Sequence, residues 1–402
     1  MNILHLSAQK PDSTGSGVYL RETVAAFGRL GYDQAVIAGI AADDDPKFAD
    51  GVLFRPVRFE TPELPFPVVG MSNVMPYRTT RYPDLTPQMA AQFKDAFASA
   101  INEVLDAFHP DLIICHHLYL LCGVLTHLVS ERKLSDPSLS TCTVCGLSHS
   151  TDMRQMLQIP LERDYISEGV RMLDRIYALH EAQAEEIARV YDADPCRIRV
   201  VGTGYDAGMF HVVDGVRRPG TANIVYVGKV CRKKGVESLL RALDQLRNDV
   251  RDVELTLVGG YSDKAEYDEL VGLAQELDLP ARFAGRLDDG DLVRAYNEAD
   301  VFVLPSFFEG LPLVVVEALA CGCKVVVTDL PGLRPWIQAN VDGDAVTYVE
   351  PPRMRDVDEP VEEDLPAFEG RLACALEQSL TAPPAVCNTS RASWDALAMR
   401  LL

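Results

Sequence analysis

The sequence lacks long hydrophobic runs and is short of basic residues. No window approaches the roughly 20 consecutive apolar residues that a membrane-spanning helix needs, so we expect no integral membrane segment. Lys and Arg number 38 against 59 Asp and Glu, which gives a net charge of -21. That sign is wrong for a protein that holds nucleic acid by neutralising phosphates. A nucleic-acid partner is therefore not expected.

The N-terminus lacks the charged leader and apolar core of a secretion signal. We therefore expect a cytoplasmic protein, with at most peripheral contact to the inner face of the membrane. Ten cysteines are spread over 402 residues, which indicates reduced thiols rather than a disulfide framework. Cys142 and Cys145 have the spacing of a redox or zinc pair, but they fall in an apolar run with no second ligand pair nearby. We therefore expect neither a metal nor a redox role for this pair.

What the sequence does contain is an alternation of short apolar runs and helix-length amphipathic stretches, which is typical of βα units in parallel sheets. The predicted class is α/β, with two doubly wound Rossmann-like domains in 402 residues. The first predicted series of strands is 2–6, 34–40, 112–115, 141–147, 175–179 and 198–201, and the second is 223–227, 254–258, 282–284, 301–304, 324–328 and 345–349.

Two segments interrupt this pattern. Residues 206–221 show no clear period and are the predicted hinge, which gives domains over 1–205 and 206–385. A terminal helical segment over 386–402 follows, with the helix itself expected at 393–402. Residues 54–87 are rich in proline and aromatic side chains and are too long for a simple connector. They form either a substrate loop or a surface insertion that packs on its own domain.

Two carboxylates follow the predicted strand 301–304. Glu309 lies in the loop, Pro312 suits the first position of the next helix, and Glu317 lies about five residues into that helix. Free amides at a helix start attract anions, and carboxylates accept hydrogen bonds from hydroxyl groups. The segment suits a ligand that is part phosphate and part polyol, although two solvated carboxylates would have the same spacing.

A basic loop follows the predicted strand 223–227. It contains four cations between two glycines in an otherwise acidic chain: Gly228, Lys229, Arg232, Lys233, Lys234 and Gly235. Such cations can neutralise a diphosphate, and glycines permit close backbone approach. The alternative is a solvated charged turn, which we expect for at least one of the four cations. A weaker phosphate or sugar loop is the Gly15-Ser16-Gly17 segment.

Together these segments resemble glycosyltransferase family 4, whose members have the GT-B fold and retain the anomeric configuration. The Glu-x7-Glu motif of the family is matched by Glu309 and Glu317, and its Gly-Arg/Lys-x4-Lys-Gly motif by residues 228–235. The first glycine loop, a His-x-x-Asp segment at 149–152 and a closing Trp394 extend the likeness over nearly the whole chain. The resemblance implies two domains facing a cleft, with the C-terminal helix crossing back to the first domain.

The resemblance also implies the transfer of a sugar from a nucleoside diphosphate, UDP or GDP, to a hydroxyl acceptor, with no required metal and no cofactor. It further implies residue roles in that transfer. Lys229 and Lys234 are expected at the diphosphate, and Glu317 at the ribose. The implied catalytic residues are His149, Lys234 and Glu309. The implied donor-binding residues are Gly15, Gly17, Gly228, Lys229, Lys234, Glu309, Gly310, Leu311, Leu313 and Glu317. His116 is expected at the acceptor, which can be a small molecule, a glycan or a lipid-linked sugar.

Three residues depart from the family pattern. Ser150 replaces the usual glycine after the histidine, and Pro312 replaces a glycine and removes an amide donor. Lys229 stands where arginine is commoner, so that a bidentate contact to phosphate is lost.

Two other functions stay open at the level of sequence. Asp43 and Asp45 have the DxD spacing of a metal-dependent GT-A transferase, although this run also fits a solvated loop after strand 34–40. The other alternative is a non-catalytic protein that binds sugar nucleotides. Insensitivity of the reaction to a chelator would argue against the first, and sugar transfer itself would argue against the second.

Overall fold

A computed structural model describes residues 1–72, 75–217, 220–247, 252–384 and 386–402. The chain divides into two units, Met1–Gly202 together with Leu397–Leu402, and Thr203–Ala396. Each unit is built on one parallel sheet, so the predicted class is confirmed. Residue 385, where the predicted second domain ends, and two positions of the predicted hinge lie outside the described residues.

The first unit has a seven-stranded parallel sheet in the order β3-β2-β1-β6-β7-β8-β9. Its strands, with a separate two-stranded pair β4-β5, are β1 Asn2–Ser7, β2 Asp33–Ile40, β3 Leu53–Arg58, β4 Val69–Gly70, β5 Thr80–Arg81, β6 Leu112–His116, β7 Thr143–Leu147, β8 Arg175–Ala178 and β9 Ile198–Val200. Its helices are α1 Gly15–Arg29, α2 Pro87–Phe108, α3 Leu120–Lys133, α4 Thr151–Gln158, α5 Arg163–Arg171 and α6 Glu181–Tyr191.

The central strands of this sheet are buried on both faces, as their continuous apolar runs predict. In β1 and β2 every position after the first is buried. The strand order reverses between β1 and β6. In open α/β sheets, ligands bind beyond the carboxyl ends of the strands at such a reversal. A ligand site in this unit is therefore expected at the loops after β1, β6 and β7.

The proline-rich segment 54–87 contains a strand that the sequence analysis missed. β3 is the edge strand of the first sheet and pairs with β2. It includes Pro56, which an edge strand tolerates because one of its sides has no partner. Beyond it, Phe59, Phe66 and Tyr82 are buried in the core of the unit. The described part of the segment therefore packs on its own domain.

The second unit has a six-stranded parallel sheet in the order β12-β11-β10-β13-β14-β15 and a separate hairpin β16-β17. Its strands are β10 Ala222–Val227, β11 Val253–Val258, β12 Ala281–Gly285, β13 Val301–Leu304, β14 Lys324–Thr328, β15 Val346–Val349, β16 Met354–Asp356 and β17 Glu359–Pro360. The helices that follow are α7 Val236–Leu246, α8 Lys264–Glu276, α9 Asp289–Glu298, α10 Leu313–Ala320, α11 Leu333–Asn340, α12 Leu365–Thr381 and the terminal α13 Trp394–Leu401.

The strand order of the second sheet reverses between β10 and β13. Both sequence motifs with charged residues follow these two strands, because the basic loop comes after β10 and the carboxylate segment after β13. Neighbouring parallel strands end at the same edge, so the topology brings the two loops together.

The C-terminal helix lies at the end of the terminal segment 386–402, within one residue of the bounds expected from the sequence. α13 covers Trp394–Leu401, whereas residues 386–393 hold only a bridge and a short 3-10 turn. Residues 397–402 belong to the first unit, where the Tyr177 hydroxyl donates to the Leu401 carbonyl at 2.7 Å. The Arg400 guanidinium also donates to the Val201 carbonyl at 2.8 Å. In the described part of the chain, no helix has the length and apolar character needed to cross a membrane.

Candidate functional site

A cluster of histidines lies at the strand reversal of the first unit. His116 ends β6, His117 follows it, and His149 follows β7. The His116 and His149 rings stack with centroids 5.3 Å apart, and His116 Nδ1 lies 3.1 Å from His149 Nε2. The Tyr19 ring packs edge-on against His149 at 5.2 Å. The ends of β6 and β7 and the helix α1 thus build one aromatic cluster.

His149 is the partly exposed histidine of the three. His116 is 1% exposed and His117 is 3% exposed, so the structure shows His116 bonded to His149 under the surface. Direct contact between His116 and an acceptor stays a prediction. What the structure shows is that His116 supports the ring of His149 from the buried side.

Asp152 anchors the loop that carries His149. Its carboxylate is fully buried and accepts hydrogen bonds from the Leu118 amide at 2.8 Å, the Ser148 hydroxyl at 3.0 Å and the His149 amide at 3.2 Å. Burial raises the pKa of this carboxyl group above its usual value. The Asp152 side chain therefore joins the loops after β6 and β7.

The histidines of this cluster are held in the neutral form. Burial, followed by the proximity of His117 and His116, lowers the pKa of His149 well below 6.5. Burial likewise lowers the pKa of His117 to about 3 and that of His5, in β1, to about 4. His149 is therefore available at neutral pH as an uncharged hydrogen-bonding group.

The neutral histidines predict that the protein loses stability in mild acid. Below pH 6.5 the unfolded chain protonates His5 and His117, whereas the native protein does not until pH falls to about 4 and about 3. The free energy of unfolding should therefore fall by about 1.4 kcal/mol per pH unit for each group across this window. Urea unfolding at pH 7.5, 6.5 and 5.5 measures this slope. His5→Asn should reduce it, and an unchanged slope would contradict the prediction.

The predicted glycine loop forms the first turn of α1. Thr14 caps the helix, since its side chain accepts from the Gly17 amide at 3.1 Å. A Cβ on Gly17 would lie 2.9 Å from the Lys10 carbonyl oxygen, so only glycine lets residues 10–12 approach. A Cβ on Gly15 would meet nothing within 4 Å. Gly17 is thus needed for packing, whereas Gly15 borders open space.

Lys234 and Glu309 meet at the strand reversal of the second unit. The Lys234 ammonium lies 2.7 Å from the Glu309 carboxylate and 3.3 Å from the Phe308 carbonyl, to which it donates. Both side chains are partly exposed, at 28% and 18%. The folded chain therefore brings the basic loop and the carboxylate segment into contact.

The basic loop has a backbone fixed by Gly235. This residue adopts φ 71°, and a Cβ on it would lie 2.0 Å from the Pro305 carbonyl oxygen. Lys229 is exposed, and its carbonyl accepts from the buried Tyr226 hydroxyl at 2.7 Å. Gly228 joins the neighbouring strand end through its amide, which donates to Val258 at 2.9 Å.

Two of the four cations in the basic loop form ion pairs with carboxylates outside the loop. The Arg232 guanidinium pairs with Glu237 and Glu269, each at 2.7 Å. The Lys233 ammonium pairs with Asp358 in the turn of the β16-β17 hairpin at 2.9 Å. The alternative of a solvated charged turn therefore holds for these two residues.

The carboxylate segment leads into α10, Leu313–Ala320, but Pro312 is the cap residue before the helix and not its first residue as predicted. Gly310 and Leu313 are partly exposed beside the loop, and Leu311 is buried. Glu317 is the fifth residue of the helix. Its carboxylate accepts from the Tyr296 hydroxyl at 3.0 Å, and Tyr296 is fully buried in α9. Pro312 makes no side-chain cap to the first turn of the helix.

The other candidate residues are explained by local contacts. The Asp45 carboxylate pairs with Lys47 at 2.5 Å, while neighbouring Asp44 pairs with Lys10 at 2.6 Å. Burial raises the pKa of the Cys142 thiol to about 12 and that of Cys145 to about 11. Across the ranges that the structure describes, no group of three or more His, Cys, Asp or Glu side chains has an arrangement for holding a metal ion.

In each unit, the sequence analysis missed buried residues that contact the candidate site residues of that unit. Tyr296 orients Glu317 from another helix, and Tyr19 packs on His149 from α1. Gln183 in α6 donates to Ser150. None of these side chains stands at a fixed spacing from its partner, so no signal in a single sequence identifies them.

Comparison with known proteins matches a glycosyltransferase family model to each of the two units. The model of Glycosyltransferase Family 4 matches residues 13–208, and that of Glycosyl transferases group 1 matches residues 221–358. The D-inositol 3-phosphate glycosyltransferase of Segniliparus rotundus is 26% identical, over 97% of this chain and 84% of the relative. The protein of the same name from Mycobacterium tuberculosis is 27% identical, over 84% of this chain and 68% of the relative.

Solved structures share the fold at lower identity. Sucrose-phosphate synthase from Thermosynechococcus elongatus has a TM-score of 0.65 at 20% identity, over 100% of this chain and 97% of that one. Anabaena HepE in complex with UDP has a TM-score of 0.64 at 15% identity, over 100% and 98% of the two chains. The architecture is therefore that of the GT-B class, and the GT-A alternative suggested by Asp43 and Asp45 does not describe this chain.

Proposed function

This chain belongs to glycosyltransferase family 4 and is a glycosyltransferase of the GT-B type, and from this premise we propose that it transfers a sugar from a nucleotide diphosphate to an acceptor hydroxyl with retention of configuration. The observation that carries the proposal is the contact between Lys234 and Glu309 at the strand reversal of the second sheet. A cation and a carboxylate on adjoining loops suit a ligand with phosphates and hydroxyls.

The proposed chemistry assigns charged residues of the protein to each part of the donor. Lys234 and Lys229 stabilise the negative charge that grows on the diphosphate as the sugar leaves. Glu309 accepts hydrogen bonds from sugar hydroxyls, and Glu317 accepts them from the ribose. The acceptor hydroxyl attacks the anomeric carbon on the face from which the diphosphate departs. The bond between that carbon and the diphosphate oxygen breaks, and the departing phosphate takes up the hydroxyl proton. In this proposal lysine ammonium groups stabilise the leaving group, so no metal ion is required.

We propose a small phosphorylated polyol as the acceptor. The support is the name shared by the curated relatives, D-inositol 3-phosphate glycosyltransferase, at 26% and 27% identity. This acceptor has the hydroxyl groups that the reaction needs. Its phosphate also provides a direct test, because phosphorylated and free inositol differ by that group alone.

The test begins with the donor and proceeds to transfer. Thermal shifts with UDP-, GDP- and ADP-sugars identify the base, because a ligand at 100 times its dissociation constant adds about 2.7 kcal/mol of stability. Transfer to inositol 3-phosphate is then measured with and without EDTA, with free inositol as control, and NMR of the product reports the anomeric configuration. Inversion would overturn retention, and loss of activity with EDTA would overturn the metal-free reaction.

Glu317→Gln is expected to weaken donor binding about 10- to 100-fold, because a charge-assisted hydrogen bond contributes about 1.5 to 3 kcal/mol. Tyr296→Phe removes the hydroxyl that orients Glu317 and should weaken binding about fivefold, the effect of one neutral bond. Calorimetry with the donor and with its 2′-deoxy and 3′-deoxy analogues measures both effects. If the wild type and Glu317→Gln bind the donor equally and are equally folded, Glu317 does not contact the ribose.

A further inference from the structure

We propose that Gln183 is a positioning residue for His149 and acts through Ser150, an inference that rests on the proposed role of His149 in sugar transfer. Ser150 directly follows His149 and precedes α4. It adopts φ 72° and ψ -40°, a conformation that residues with a Cβ rarely adopt. Such strained backbone persists only where the surrounding structure holds it. The source of that support is visible in the contacts of the Ser150 side chain.

The Gln183 side chain supplies the support. Its Nε2 donates to the Ser150 hydroxyl at 2.7 Å, and the residue is only 2% exposed. The Oε1 of the same carboxamide accepts from the Leu179 amide at 2.6 Å. Because the oxygen is bound to Leu179, the amide group can present only its N–H to Ser150. The orientation of Gln183 is therefore fixed.

The start of α6 holds Gln183 in place. Its backbone amide donates to Nδ1 of His180, the residue that caps the helix, at 3.1 Å. The hydrogen bond to Ser150 thus comes from a rigid helix turn rather than from a loose side chain. The loop that carries His149 is consequently held on two sides, by Asp152 in the first turn of α4 and by Gln183 from α6.

This arrangement explains how the chain tolerates serine where the family pattern has glycine. Glycine adopts positive φ without steric penalty. Serine does not, but its hydroxyl gains a partly buried hydrogen bond in the strained conformation. The backbone next to His149, and with it the position of the imidazole, therefore depends on Gln183 in this chain.

The inference predicts opposite results for two small substitutions at one position. Both Ser150→Ala and Ser150→Gly delete the hydroxyl, but only glycine is free to keep φ 72°. Ser150→Ala should lower kcat about fivefold, as expected for the loss of one neutral hydrogen bond, with donor KM changed less than about twofold. Ser150→Gly should retain the wild-type kcat.

The same logic predicts that glycine rescues the loss of Gln183. Gln183→Leu should lower kcat about fivefold when residue 150 is serine and leave it unchanged when residue 150 is glycine. A purely structural role would lower stability in both backgrounds and would not be rescued in kcat. Gln155→Leu is the matched control, because it also removes a buried glutamine hydrogen bond, to the Met71 carbonyl at 2.8 Å, without touching Ser150.

The experiment measures kcat, donor KM and melting temperature for the wild type, the four single variants and the Ser150→Gly/Gln183→Leu double variant, together with the imidazole NMR signals of His149. Displaced His149 signals in Ser150→Ala and Gln183→Leu, restored by glycine, are expected. Equal kcat and equal signals in Ser150→Ala and Ser150→Gly would overturn the inference. If the wild type transfers no sugar, the proposed function fails, and the NMR comparison still decides whether Gln183 positions His149.

Discussion

Replacing Lys234 by alanine is expected to lower turnover at least about 10²-fold, the effect seen when a single group that stabilises transition-state charge is removed. The Lys234 ammonium lies within 2.7 Å of Glu309 at the reversal between β10 and β13. In the proposed reaction it faces the diphosphate as negative charge accumulates. Because that charge is largest in the transition state, kcat should fall more than donor affinity.

Lys233→Ala is the matched control for Lys234→Ala. Lys233 lies next to Lys234 in the same loop, but its ammonium pairs with Asp358 at 2.9 Å. Removing it changes the charge of the loop by the same amount. It should leave kcat within about threefold of the wild-type value, since an exposed ion pair contributes only about 0 to 1 kcal/mol to stability. Steady-state kinetics with the identified donor compares the two. Equal losses for both variants would show that general loop charge, rather than a contact of Lys234, supports the reaction.

His149→Ala is expected to reduce turnover about 10²-fold, by the same comparison with loss of one transition-state group, while donor affinity changes less than about threefold. His149 is the partly exposed member of a cluster in which His116 and Tyr19 are buried behind it. Burial keeps its pKa low, so the activity that depends on the neutral ring should not fall between pH 8 and pH 7. Single-turnover kinetics and donor titration separate the two effects.

His127→Ala controls for the loss of an aromatic contact in the same unit. His127 in α3 stacks on Tyr165 with ring centroids 4.2 Å apart, and neither ring belongs to the cluster around His149. Its removal should lower the melting temperature and leave turnover close to wild type. A His149→Ala variant with wild-type turnover would reassign His149 to structure.

Part of the fold and site was predictable because it depends on local chemistry. The continuous apolar runs at 301–304 and 324–328 predicted β13 and β14 at their observed bounds. Strand β3 was missed because Pro56 lowers strand propensity, which an edge position tolerates. The position of a strand in its sheet is not encoded locally.

The sequence by itself determined the α/β class, the alternation of strands and helices, and the two loops that carry Lys234 and Glu309, because periodicity and spacing follow from the geometry of strands and helices. Only the tertiary structure decided which charges meet. It separated Lys234, beside Glu309, from Lys233, beside Asp358. It also placed Tyr296 on Glu317 and Gln183 on Ser150. These pairs are distant in sequence or join different elements, and the strand order that brings their elements together results from packing the whole sheet.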